Sequence, residues 1–237
     1  MNIPLTKRAS HHLFSPGLIS GLTVLLIFTS QPGSMPSAYT LLCLGDSYTI
    51  GESVHPGENF PNQTISLLRK EGYRFEDPEI VAKTGWTTDE LQHAINKHQF
   101  KHSYDFVTLL IGVNNQYRGR TVAEYRTEFE SLLKQAIALA NHKSEHVIVL
   151  SIPDWGVTPF AKDRNADQIA IEIDHYNTAN KSIAENYKTS YIDITPVTRE
   201  ASKDSSLIAG DGLHASPKEY ARWSDRLSLL IKSLVRD

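Results

Sequence analysis

Cysteine is almost absent from this chain: one residue, Cys43, in 237. An internal disulfide is therefore excluded, and cysteine usage does not set the redox compartment. Cys43 lies among leucines, the setting of a buried inert thiol, whereas a reactive one needs an accessible electropositive site. An excess of one charge is also missing. Lys and Arg number 24 and Asp and Glu 27, for a net charge of -3, and the basic residues are scattered, which argues against nucleic acid as a partner. No interior stretch rich in Pro, Gly and Ser marks a linker, and no repeat or low-complexity tract occurs. There is no Gly-x-Ser-x-Gly, no Gly-x-x-x-x-Gly-Lys, no His-Glu-x-x-His and no Cys-x-x-Cys, so metal and nucleotide chemistries lose support. His11, His12, His93, His98, His102 and His175 read as solvated surface residues, and no metal site is expected among them.

What is present begins with an N-terminal extension, residues 1–38. Lys7 and Arg8 precede an apolar stretch from Leu18 to Phe28, followed by Gln31-Pro32-Gly33-Ser34. This is the layout of a signal peptide, too short for a comfortable membrane span, with an imperfect cleavage pattern around Ser37 and Ala38. It points to a secreted or periplasmic protein. The competing reading starts translation at Met35 and leaves the protein cytoplasmic; an uncleaved membrane anchor is a third.

From Tyr39 onward the chain reads as one domain, residues 39–237. Tyr39 to Leu44 is almost wholly apolar, as expected of a parallel strand covered on both faces. Further strands are expected at Glu79 to Ala82, Phe106 to Ile111, His146 to Ile152 and Tyr191 to Ile194. Helices are expected from Phe60 to Gly72, after Thr87, after Thr121, from Ile169 to Tyr187, and from Ser216 to about Val235. Thr87 with Glu90, Thr121 with Glu124 and Ser216 with Glu219 have capping-box spacing. Strand and helix alternate throughout. The expectation is an α/β fold, a flavodoxin-like three-layer α/β/α sandwich on a five-stranded parallel sheet.

Ligands of such sheets bind outside the carboxyl ends of the strands. Gly45-Asp46-Ser47 leaves the first strand there, with Gly45 expected to make the turn, and a hydroxyl so placed meets substrate. A Gly-Asp-Ser sequence is also simply a good turn. A serine nucleophile needs a base, and a base needs an orienting acceptor. Asp211-Gly212-Leu213-His214 offers both on the segment before the last helix, although it too reads as an acidic turn beside a helix-flanking histidine. Two more loops at the same edge can supply donors to a developing oxyanion. One is Lys83-Thr84-Gly85-Trp86-Thr87, where Gly85 exposes a backbone N–H. The other is Gly112-Val113-Asn114-Asn115, where Asn114 offers a side-chain amide.

The ordered set Gly45-Asp46-Ser47, Gly85, Gly112-x-Asn114 and Asp211-x-x-His214 resembles the SGNH superfamily of GDSL-type esterases and lipases. The resemblance implies Ser47 as nucleophile, His214 as general base and then acid, and Asp211 as the residue that orients His214. It implies an oxyanion hole of the Ser47 and Gly85 backbone N–H groups and the Asn114 side chain. The implied reaction is ester hydrolysis through an acyl-enzyme with no metal or organic cofactor, on a small-molecule ester substrate. Family members of this kind act on acylated sugars, lysophospholipids and simple esters. Where the family's third block usually reads Gly-x-Asn-Asp, this chain has Asn115, a departure that bears on the hydrogen bonding of that loop. Asp46 is expected to be structural. Trp86, Tyr117 and Trp155 occur on loops at the same edge and are candidates to flank an acyl chain, stack on a sugar or cover the sheet's end. An acyltransferase with the same triad, or a non-catalytic small-ligand binding module, are the alternatives.

Overall fold

A computed structural model describes residues 37–100 and 103–235. The leader, the anchor and the Met35 start all fall on residues 1–36 and lie outside them. Among the described residues no helix is long and apolar enough to cross a membrane.

Five strands form one parallel sheet: β1 (Leu41–Gly45), β2 (Glu79–Ala82), β3 (Phe106–Leu110), β4 (Val147–Leu150) and β5 (Ser190–Ile192), in the order β2-β1-β3-β4-β5. Every residue of β1, β3 and β4 is buried, which is why these segments read as continuous apolar runs. Burial of each β1 leucine contributes roughly 2 kcal/mol relative to exposure. Tyr39 stands apart from β1, in an isolated bridge to Phe75.

The longer helices are α2 (Phe60–Lys70), α3 (Thr88–Lys97), α5 (Val122–Leu139), α6 (Ala166–Asn186) and α8 (Pro217–Val235). Of three short ones, α1 (Ser47–Ile50) and α4 (Val113–Tyr117) lie where turns were expected, and α7 (Thr195–Thr198) lies on a segment for which no element was expected. The crossover from β1 to β2 runs one way along the sheet and all later ones run the other, so right-handedness puts α2 on one face and α3, α5 and α6 on the opposite face. α8 packs on α2, while α5 packs on α3 and α6.

The caps differ in completeness. The Glu90 carboxylate accepts from the Thr87 N–H at 2.9 Å, the return half of a box. Thr121 accepts from the Glu124 N–H, but the Glu124 carboxylate turns to Arg120 at 3.5 Å. Ser216 caps the Glu219 N–H at 3.3 Å, while the Glu219 side chain takes the Trp223 indole and Arg222.

Gly45 has a different reason from the turn expected of it. It is the last residue of β1, and a Cβ there would meet the Thr49 hydroxyl at 2.1 Å and the Leu110 carbonyl at 2.4 Å. Glycine at this position lets α1 pack directly onto the strand ends.

Candidate functional site

The sheet changes winding direction between β1 and β3, and the crevice at such a switch point is where doubly wound folds bind ligands. Ser47 follows β1 and is the first residue of α1; Asn114 follows β3 and lies on α4. Asp46 caps α1, its Oδ1 accepting from the Tyr48 N–H at 3.0 Å. The other Asp46 oxygen has no partner among the described residues. Burial pushes this carboxyl up to about 7, against the lowering effect of hydrogen bonds from the Tyr48 and Asp46 backbone.

Asp211 and His214 arrive on a closed loop. Ile208 bridges Ala215, the Ala209 N–H donates to the His214 carbonyl at 2.7 Å, and the Ser216 N–H donates to the Leu207 carbonyl at 2.9 Å. Within it, Asp211 Oδ1 accepts from the Leu213 and His214 N–H groups, each at 3.0 Å. Asp211 Oδ2 lies 2.6 Å from His214 Nδ1 and accepts from the Ser53 hydroxyl at 2.8 Å. Burial raises the Asp211 pKa, but these four donors outweigh it and hold the carboxyl well below the usual range. An ionised carboxylate only accepts, so Nδ1 carries the proton and Nε2 of the neutral ring is an acceptor. Nε2 lies 2.9 Å from Ser47 Oγ. Ser47 and His214 are both buried, so the hydroxyl and its acceptor meet with little competing water. The arrangement can take the proton of Ser47 as the oxygen forms a bond.

On the other side of Ser47, α4 grips the loop after β2. Asn114 Nδ2 donates to the Trp86 carbonyl at 3.0 Å, and Arg118, just past α4, donates to the Gly85 carbonyl at 2.7 Å. An amide nitrogen has two hydrogens, so Asn114 keeps one for a ligand. Gly85 has φ +83°, a left-handed conformation that disfavours most side chains, although a Cβ there would meet only the end of Arg118, at 3.8 Å. Among the described residues neither the Ser47 nor the Gly85 backbone N–H has an acceptor. Asn115, in the position that departs from the family pattern, is buried; it accepts from the Thr88 N–H at 3.1 Å and donates to the Thr88 hydroxyl at 2.6 Å.

Ser47, His214, Asn114, Tyr117 and Trp155 line one pocket of about 120 Å³. Asp211 stands behind His214, and Gly85 and Trp86 lie on the neighbouring loop outside the pocket lining. Trp155 is buried and fixed, its indole N–H donating to Gln116 Oε1 at 2.7 Å, whereas Tyr117 is 46% exposed at the mouth. Tyr48, Val113, Phe160 and Leu213 complete the lining and were not anticipated. Phe160 packs at a tilt against Tyr117 and edge-on to Trp155 from a single 3-10 turn, Pro159–Ala161, too short for periodicity to mark it. Ser53 was also missed. Among the described residues no group of three or more His, Cys, Asp or Glu side chains is placed to hold a metal ion.

A doubly wound parallel sheet with a hydroxyl, an imidazole and a carboxylate in line at its carboxyl edge has the α/β architecture of the GDSL hydrolase structures. The chain belongs to the GDSL-like lipase/acylhydrolase family, whose profile matches residues 43–222. No curated protein sequence matches it. Similar solved structures include the psychrotrophic esterase EstA from Pseudoalteromonas sp., in a form inhibited by monoethylphosphonate. It is 16% identical at a TM-score of 0.62, over 84% of this chain and 99% of that one. A lipase/acylhydrolase from Enterococcus faecalis is 21% identical at a TM-score of 0.64, over 82% and 96%. The acetylxylan esterase Axe2 from Geobacillus stearothermophilus is 20% identical at a TM-score of 0.63, over 82% and 94%. At these identities the likeness is one of fold.

Proposed function

We propose that this family member hydrolyses carboxylic esters of short acyl chain through an acyl-enzyme on Ser47. The observation that carries the reading is the continuous line Ser47 Oγ, His214 Nε2, His214 Nδ1, Asp211 Oδ2, with separations of 2.9 Å and 2.6 Å at its two hydrogen bonds. Ser47 Oγ attacks the acyl carbon while His214 Nε2 takes the hydroxyl proton, and Asp211 stabilises the imidazolium that forms. Negative charge gathers on the former carbonyl oxygen, which the Ser47 and Gly85 N–H groups and the second Asn114 N–H are free to receive. Collapse expels the alcohol, protonated by His214. Water then attacks the acyl-enzyme with the same base, releasing the acid and restoring Ser47.

The pocket, open to solvent at the mouth beside Tyr117, favours a short acyl group. At about 120 Å³ it is somewhat smaller than the roughly 150 Å³ cavity that holds one benzene, room for an acyl group of about two to four carbons. That the similarly folded Axe2 is an acetylxylan esterase accords with a short acyl group. Fluorophosphonate labelling and a series of acetyl, butyryl and long-chain aryl esters test the reading. Ser47→Ala is expected to abolish labelling and lower turnover by about a thousandfold or more. Unchanged hydrolysis by the purified variant overturns it, and acyl transfer to an added alcohol in preference to water would identify a transferase.

A further inference from the structure

We propose that Ser53 is a positioning residue whose hydroxyl holds Asp211, and through it His214, in line with Ser47. The proposal rests on the catalytic reading above. Three of the four donors to the Asp211 carboxylate come from its own turn: the Leu213 and His214 backbone N–H groups and His214 Nδ1. The fourth, the Ser53 hydroxyl at 2.8 Å, comes from 158 residues earlier, on the loop that leaves α1. No lysine or arginine pairs with Asp211 among the described residues. Among the described residues, and beside the ring contact of Tyr48 with His214, Ser53 and Ser47 are thus the two side chains hydrogen-bonded from the first turn to the Asp211 loop. Its neighbour Glu52 accepts from Thr84, beside Gly85. Two adjacent residues therefore hold the base side and the oxyanion side of the site.

The backbone supports the assignment. Ser53 has φ +64°, one of four non-glycine residues with positive φ among the described residues. Asn141, His142 and Lys188 follow α5 and α6 directly, where left-handed residues end helices. At α1 that task already falls to Gly51, at φ +80°. The left-handed cap of α1 is thus already in place two residues before Ser53, and serine is not among the types that adopt the conformation readily. Strain retained at a residue whose side chain reaches the site is the pattern of a functional constraint.

Two variants separate the hydroxyl from the strain. Ser53→Gly removes both; Ser53→Ala removes the hydroxyl and keeps the strain. Removing a donor from Asp211 leaves more negative charge facing the imidazole, favours its protonated form, and moves the acid limb of kcat/KM to higher pH. Among the described residues the titratable groups nearby include Tyr48, whose ring centroid lies 5.0 Å from that of His214, Asp154 and Glu219, which line the small cavity behind it, and Asp46 beside Ser47; neither variant alters them. Both variants are expected to lose about tenfold in kcat at unchanged KM, with the same displacement of the acid limb, since a hydrogen bond to a charged group is removed. Ser53→Gly is expected to melt at or above the wild-type temperature and Ser53→Ala at or below it. Wild-type kcat and pH profile in Ser53→Gly, alongside an inactive Ser47→Ala, would refute the role of Ser53 and leave the catalytic reading standing. Activity in Ser47→Ala would instead remove the catalytic reading.

Discussion

Asn115→Asp restores the residue usual in the family and is expected to harm this chain. The Thr88 hydroxyl has one proton, which it donates to the Glu128 carboxylate. Toward position 115 it can therefore only accept, and the Asn115 amide donates to it at 2.6 Å. An aspartate there has nothing to donate, and two carboxylates then compete for one proton in a buried setting. A buried group left unsatisfied costs about 1–3 kcal/mol, more if charged. The Glu128 side chain is 27% exposed and Arg120 lies 3.8 Å away, which moderates the repulsion. About 2 kcal/mol is the expected loss, or about 4–8 °C in Tm for a chain of this size. Glu128→Gln alone should cost less than about 1 kcal/mol, because its amide oxygen still accepts from Thr88. In the double variant the polarity reverses: Thr88 donates to the carboxylate introduced at position 115, and the amide introduced at position 128 donates to Thr88. A double-mutant cycle by urea unfolding should give a favourable coupling of about 1–2 kcal/mol. Additivity of the two single effects within about 0.5 kcal/mol would refute this account of why asparagine stands here.

Two other perturbations concern buried groups beside the nucleophile. The Asp46 pKa rises on folding from 3.8 to about 7, so the folded protein binds the proton more tightly and its stabilising contribution is lost as pH climbs through that interval. Asp46→Asn should flatten the decline of Tm between pH 4 and 8, a contribution on the order of 4 kcal/mol in the wild type; parallel Tm–pH curves for the two proteins would contradict it. Trp155→Phe widens the acyl pocket and strands Gln116 Oε1, so the kcat/KM ratio of hexanoyl over acetyl aryl ester should rise several-fold; an unchanged ratio would take Trp155 out of the acyl wall.

The sheet was readable because β1, β3 and β4 are buried on both faces and contain almost nothing but apolar residues. Ser47 and the Asp211–His214 pair were readable because loops at one edge of such a sheet must converge, whatever their separation in sequence. What stayed hidden depends on directions in space. Gly45 looks like a turn glycine, and its true role depends on the approach of Thr49 and Leu110. Ser53 carries no pattern at all, since a serine bonded to a residue 158 positions away has no local signature. Phe160 reaches the pocket from a single 3-10 turn, and Trp86 contributes through its carbonyl, which any residue possesses. The short helices α1, α4 and α7 span only 4, 5 and 4 residues, below what periodicity can register.

The closed loop from Ile208 to Ala215 has a consequence for biosynthesis. Nucleophile and proton acceptor are separated by 167 residues, and the acceptor's loop is joined directly to the final helix. A chain emerging from the ribosome exposes its serine early, with no partner to activate it. It acquires a base only when the chain has been made as far as His214 and the loop from Ile208 to Ala215 has closed. A chain that stops short of His214 therefore lacks the base of the proposed chemistry.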